Sequence, residues 1–238
     1  MIDPRALAIV LLPGLDGTGE LLKGLSDQLA GHRPVELFDY PLDRQMSYAE
    51  LVTYVVKRAP NRRFVILGES FSGPIAIEIA ETDPRVSGLV LAGSFARHPL
   101  PAQLAPLAWA LDVRWVPRRI VAAALMGLRA APEIAAQLNG VLAKVPREIV
   151  RARLHEALRV DKRDRLRRTK CPLLCLHRRQ DCLVRKKSVD EITDARPDGE
   201  VHWLDAPHML LTTHAAAAAG IINQFCSELE NQGRQWLV

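Results

Sequence analysis

Residues 64–81 read FVILGESFSGPIAIEIAE. The apolar run Phe64 to Leu67 suits a buried strand, and the Ile/Ala spacing from Ile75 to Glu81 suits a helix. Between them stands Gly68-Glu69-Ser70-Phe71-Ser72-Gly73. A strand that turns sharply into a helix presents its turn residue at the C-terminal edge of the sheet, where open α/β sheets bind ligands. Small residues must flank that turn because strand and helix approach closely there. Gly68, Ser72 and Gly73 meet the need. The usual pattern is G-x-S-x-G, and Ser72 in its last position keeps the small size that the packing demands.

The same reading extends outward. Ala6 to Leu12 (ALAIVLL), closed by Pro13-Gly14, suits a strand buried on both faces. Leu21, Leu22, Leu25 and Leu29 have helical spacing over Glu20 to Leu29. Val35 to Phe38 reads as a strand, Tyr48 to Lys57 as a helix with Ser47 as its N-cap, and Val86 to Leu91 as a strand. This alternation predicts an α/β fold, a mostly parallel sheet flanked by helices. From Pro99 to about Val145 no strand signal appears, so residues 97–145 are expected to form a small helical insertion in a core made of 1–96 and 146–238. Val150, Leu154, Ala157 and Leu158 continue as a helix. Pro172 to His177 (PLLCLH) and Glu200 to Leu204 read as strands, and Thr212 to Leu229 as a closing helix.

A length of 238 residues, 48% hydrophobic and 25% charged, fits one folded domain. The opening MIDPRALAIVLLPG has too short an apolar run to span a bilayer and lacks a basic leader, so no transmembrane segment is expected and a cytoplasmic location is. Cys171, Cys175, Cys182 and Cys226 match neither a disulfide framework nor a zinc spacing and read as small core hydrophobes. The net charge is +5, unevenly placed: residues 114–170 carry fifteen Lys/Arg and five Asp/Glu, leaving the rest at −5.

A serine hydroxyl is a poor nucleophile near neutrality and needs a base in reach, with a carboxylate orienting that base. The strand ending at His177 leads to Arg178-Arg179-Gln180-Asp181, which places Asp181 at the expected edge. The strand ending at Leu204 leads to Asp205-Ala206-Pro207-His208, which brings His208 there. Asp205 is the rival acid, only three residues before the histidine. The order Ser70, Asp181, His208 is that of α/β-hydrolases. Over nearly its whole length, Ala6 to about Phe225, the chain resembles that superfamily, although the family's first two antiparallel strands have no counterpart. The resemblance implies an oxyanion hole made by the N–H groups of Phe71, after the nucleophile, and of Leu15, in the loop Pro13-Gly14-Leu15-Asp16-Gly17-Thr18-Gly19. The family commonly has His-Gly where this chain has Pro13-Gly14.

The competing reading of that loop, a phosphate cradle, fails on spacing, since neither G-x-x-x-x-G-K-[ST] nor G-x-G-x-x-G is present and Asp16 would repel phosphate. Gly14, Asp16 and His98, the last beyond the fourth strand, are candidate substrate contacts. His32, His155, His177, His202 and His214 read as structural or solvated. No cluster has metal-ligand spacing, and no metal or cofactor is expected.

The expected activity is that of a serine hydrolase cleaving a carboxylic ester or thioester of small or medium acyl group through an acyl-enzyme. An acyltransferase on the same triad, a carbon-carbon hydrolase or lyase, and a non-hydrolytic ligand receptor of the same fold stand as alternatives. The apolar residues Leu104, Leu107, Trp109, Leu111, Leu125 and Met126 either line an acyl pocket under a lid or merely pack the insertion. The basic stretch 114–170 is either a solvated helical surface or a docking face for an acidic partner such as acyl-carrier protein, coenzyme A or an anionic lipid surface. No nucleic-acid motif accompanies it.

Overall fold

A parallel strand buried on both faces needs an unbroken apolar run, and every such run in this chain ends up in one sheet. In the computed structural model, which describes residues 6–99, 132–178, 184–205 and 209–235, the elements follow in order. They are β1 (Ala8–Leu12), α1 (Lys23–Ala30), β2 (Val35–Leu37), α2 (Tyr48–Val56), β3 (Phe64–Glu69), α3 (Gly73–Thr82) and β4 (Val86–Ala92). There follow α4 (Pro132–Lys144), α5 (Arg147–Ala157), α6 (Arg163–Arg168), β5 (Leu173–Arg178), α7 (Lys186–Ala195), β6 (Glu200–Leu204), α8 (Leu210–Thr213) and α9 (Ala215–Gln235). Single turns of 3-10 helix precede α1 (Glu20–Leu22) and α3 (Ser70–Ser72).

The sheet order is β2-β1-β3-β4-β5-β6, and all five pairings are parallel. Along β1 the side chains alternate between two buried layers. Val10 and Leu12 join Leu51, Val55, Ile75, Ile79 and Ile192, under α2, α3 and α7. Ile9 and Leu11 join Leu25, Leu29, Ile222 and Phe225, under α1 and α9. Right-handed crossovers produce this division, since the chain leaves β1 toward one edge and then returns past it toward the other. The reversal lies between β1 and β3, and the crevice there opens at their C-terminal ends.

The strands of the sequence reading are all present, with ends shifted by one or two residues, and Ser47 caps α2, accepting from the Glu50 N–H while Glu50 answers the Ser47 N–H. Three differences stand out. The spacing did not predict α7, because KKSVDEITDA keeps only a narrow buried stripe, Ser188, Val189, Ile192 and Ala195. It did not predict α6 as a separate helix either, whose one buried residue is Leu166. The closing helix is longer than expected and is broken at His214.

Within the expected insertion, α4 packs Leu138 and Val141 against Leu21 and Met209, and Lys144 bonds Glu20 at 2.7 Å. Leu104, Leu107, Trp109, Leu111, Leu125 and Met126 lie outside the described residues. Around α6 the basic stretch is matched by acids. Arg163 pairs with Asp161, Arg165 and Arg168 with Glu81 on α3, Lys162 with Glu78, and Arg167 with Asp164. No described helix is long and apolar enough to cross a membrane.

Candidate active site

At the end of β3 the chain makes its turn at Ser70, whose φ of 46° is the one positive value at a non-glycine among the described residues. Left-handed backbone costs a residue with a Cβ roughly 1–2 kcal/mol, so the surroundings must impose it. They do so through three successive residues. The Ser94 hydroxyl, beyond β4, donates to the Ser70 carbonyl at 2.6 Å. The Tyr48 hydroxyl, on α2, donates to the Phe71 carbonyl at 2.9 Å, and its ring stacks on Phe71 with centroids 4.8 Å apart. Ser72, fully buried, donates to the Pro13 carbonyl and so leaves Tyr40, 2.6 Å away, to donate to it. Burial pushes the Tyr40 phenol well above its ordinary pKa, which keeps that donor protonated.

The small residues of the motif are there for space. A Cβ on Gly68 would stand 2.6 Å from the Ser72 carbonyl oxygen, and one on Gly73 would stand 1.8 Å from Ser94 Oγ.

The loop after β1 is fixed peptide by peptide. Ser72 holds the Pro13 carbonyl, and the buried Glu69 carboxyl stands against Gly14, its Oε2 3.4 Å from where a Cβ on that glycine would lie. The Gly14 carbonyl accepts from the Gly17 N–H at 3.1 Å. Because carbonyl and N–H point opposite ways across a trans peptide, the Leu15 N–H is turned away from that bond. The next two carbonyls, of Leu15 and Asp16, accept from Arg153 Nη1 at 3.0 and 2.6 Å, and Arg153 Nη2 reaches Pro41 at 3.2 Å. Arg153 comes from α5 and is 3% exposed. Burial pulls its pKa down, while Tyr40 and Asp16 raise it. Gly17, at φ 70°, accepts this guanidinium at a distance where a side chain would collide, 2.2 Å from the position of a Cβ.

The structure therefore brings together Ser70, Phe71, Gly14, Leu15 and Asp16 at the ends of neighbouring strands, where Leu12 pairs with Gly68. Asp16 is buried and accepts from the Thr18 N–H at 2.9 Å and hydroxyl at 2.6 Å. His98 lies beyond β4, its N–H on the Val160 carbonyl at 2.9 Å and its ring accepting from Arg97 Nε at 3.3 Å. Asp181 and His208 lie outside the described residues. The strands that precede them, β5 and β6, run parallel to β3 and end at the same edge, and Asp205 is exposed there. His177 is buried edge-on to Trp203. Burial pushes the Cys175 and Cys226 thiols up to about 12 and Cys171 up to about 11, as befits inert packing residues. Cys182 is outside the described residues. No group of metal-ligating side chains occurs among the described residues.

Sequence reasoning missed Glu69, Ser94, Tyr40, Tyr48 and Arg153. Only Glu69 carried a local signal, a charged residue inside an apolar strand end.

No protein-family model matches the chain. Over 230 residues it is 30% identical to a pimeloyl-[acyl-carrier protein] methyl ester esterase of Klebsiella pneumoniae, covering 88% of this chain and 89% of the relative. Among solved structures it resembles an enol-lactonase from Burkholderia xenovorans (TM-score 0.82, 18% identity, 95% of this chain and 94% of the other). It also resembles a bromoperoxidase from Bacillus anthracis (TM-score 0.82, 17% identity, 93% and 92%).

Proposed function

Because the chain belongs to the α/β-hydrolase superfamily, we propose that it is a serine hydrolase acting on a carboxylic ester or thioester. The observation that carries this reading is the imposed left-handed turn at Ser70, beside a fixed loop at the sheet's reversal point. Such strain persists only where the surroundings over-determine it, and it clusters at functional sites.

In this mechanism the Ser70 hydroxyl attacks the acyl carbonyl while His208 takes its proton, with Asp181 orienting the imidazole and stabilising its charged form. The oxyanion is met by the Leu15 and Phe71 N–H groups, each such donor worth about 3–4 kcal/mol. The intermediate expels the alcohol or thiol, protonated by His208, and water then releases the acid by the same steps. A fluorophosphonate should label Ser70 and fail on Ser70→Ala. A panel of p-nitrophenyl esters of graded length should give a saturable rate that the variant loses. Unlabelled wild-type protein would remove the reading.

The insertion 97–145 would serve as a lid over a small or medium acyl chain. Support for an acidic carrier comes from the acyl-carrier substrate in the relative's name and from α5. On that helix Arg147 and Arg151, exposed and four residues apart, have no ion-pair partner among the described residues, whereas the arginines of α6 are occupied internally. Changing both to glutamate should slow hydrolysis of an acyl-carrier-bound ester at low salt and spare a free methyl ester. Equal effects on the two substrates would reject a carrier site on this face.

A further inference from the structure

Glu69 is the residue before Ser70, and the mechanism above makes no use of its carboxyl. It is buried at the end of β3, where its carboxyl stands against Gly14. A second carboxyl stands against the same glycine: a Cβ on Gly14 would lie 3.4 Å from Glu69 Oε2 and 3.6 Å from Asp16 Oδ1. Two buried carboxyls so placed cannot both ionise without strong repulsion. Asp16 has donors of its own in the Thr18 N–H and hydroxyl. From the β4 side, Ala92 pairs with Glu69, and the following Gly93 and Ser94 bring no charge. The cation on the β1 side, Arg153, faces Asp16 and Tyr40 and bonds the loop carbonyls.

We propose that Glu69 carries the single proton of this carboxyl pair and in that state seats the Gly14 peptide, making it the positioning residue that aims the Leu15 N–H at the carbonyl under attack. The inference rests on the serine-hydrolase reading above. Burial first, and the Asp16 charge second, push Glu69 up to about 8, against the Gly14 backbone, which pulls it down. Below that pH the pair bears one negative charge. Above it the pair bears two, and the loop that carries Asp16 is what gives way. The loss falls on the transition state, hence on kcat more than on KM.

The test compares wild type, Glu69→Ala and Glu69→Gln on a p-nitrophenyl ester from about pH 6 to 10, with the hydroxide blank subtracted and fluorophosphonate labelling of Ser70 run alongside. The wild-type rate should fall as pH rises through about 8. Glu69→Ala should lower kcat about 100-fold at neutral pH with little change in KM, the loss of one oxyanion donor. Glu69→Gln keeps an acceptor for Gly14 but cannot ionise, so it should recover most of that loss and flatten the alkaline fall. If Ser70 labels normally and Glu69→Gln still falls near pH 8, or is as impaired as Glu69→Ala, the inference is wrong while the serine reading stands. If wild type does not label, both go together. Should the Glu69 variants not fold, the infrared carbonyl band of a protonated carboxyl decides. A band lost near pH 8 that is lost at lower pH in Asp16→Asn bears the proposal out, and a wild-type spectrum without such a titrating band overturns it.

Discussion

Ser70 is held where its own side chain is least welcome. The left-handed turn at φ 46° costs roughly 1–2 kcal/mol for a residue with a Cβ, and the bonds from Ser94, Tyr48 and Ser72 around it offset that cost. Replacing Ser70 by glycine would relieve the strain, but glycine also gains freedom in the unfolded chain, worth about 0.5–1 kcal/mol. The net expectation is that Ser70→Gly is more stable than Ser70→Ala by about 0.5–1 kcal/mol, both variants being inactive. Urea unfolding of the pair checks this, and an alanine variant as stable as the glycine one would mean that the turn stores no strain. Such a trade is what a site built for reactivity predicts.

Among the elements, what the sequence disclosed depended on whether the burial was continuous or striped. β1, β3, β4 and β5 are buried from end to end, because both their faces are covered, and each was legible from one short apolar stretch. The turn of β3 into α3 was legible too, since close packing admits only small residues at Gly68 and Gly73. α7 escaped notice because it lies on the sheet by one edge and keeps a polar outer face. The residues that hold the site were the least legible of all. Arg153 stands 138 positions from Leu15 and looked like one of fifteen cations in a basic stretch, yet it is buried and clamps the loop after β1. The arginines of α6, which suggested an external partner, are occupied by Glu78, Glu81, Asp161 and Asp164, two of them on α3. Net charge over a segment records how many cations there are and not which acids the fold returns to them.

At the scale of the whole molecule, the first strand and the last helix are locked together by one carboxylate. Glu230 on α9 accepts from the Leu7 N–H at 2.8 Å and from Arg33 Nη1 at 2.8 Å, while Arg33 Nε donates to Asn223 Oδ1 at 2.9 Å. Arg33 is 4% exposed, so solvent cannot replace a lost partner. Removing one member of a buried ion pair typically costs about 3–5 kcal/mol, whereas half-exposed pairs are worth about 1 kcal/mol or less. Glu230→Ala should therefore destabilise by about 3 kcal/mol, and Glu81→Ala, which frees Arg165 and the well-exposed Arg168, by much less. The double variant Arg33→Met with Glu230→Met should recover most of the loss, because it removes the stranded charge along with its partner. Chemical denaturation of the three variants measures all of this at once. Equal costs for Glu230→Ala and Glu81→Ala would show that α9 is held to β1 by its apolar face, Ile222, Phe225 and Cys226, and that the buried pair adds nothing to the closure of the sheet.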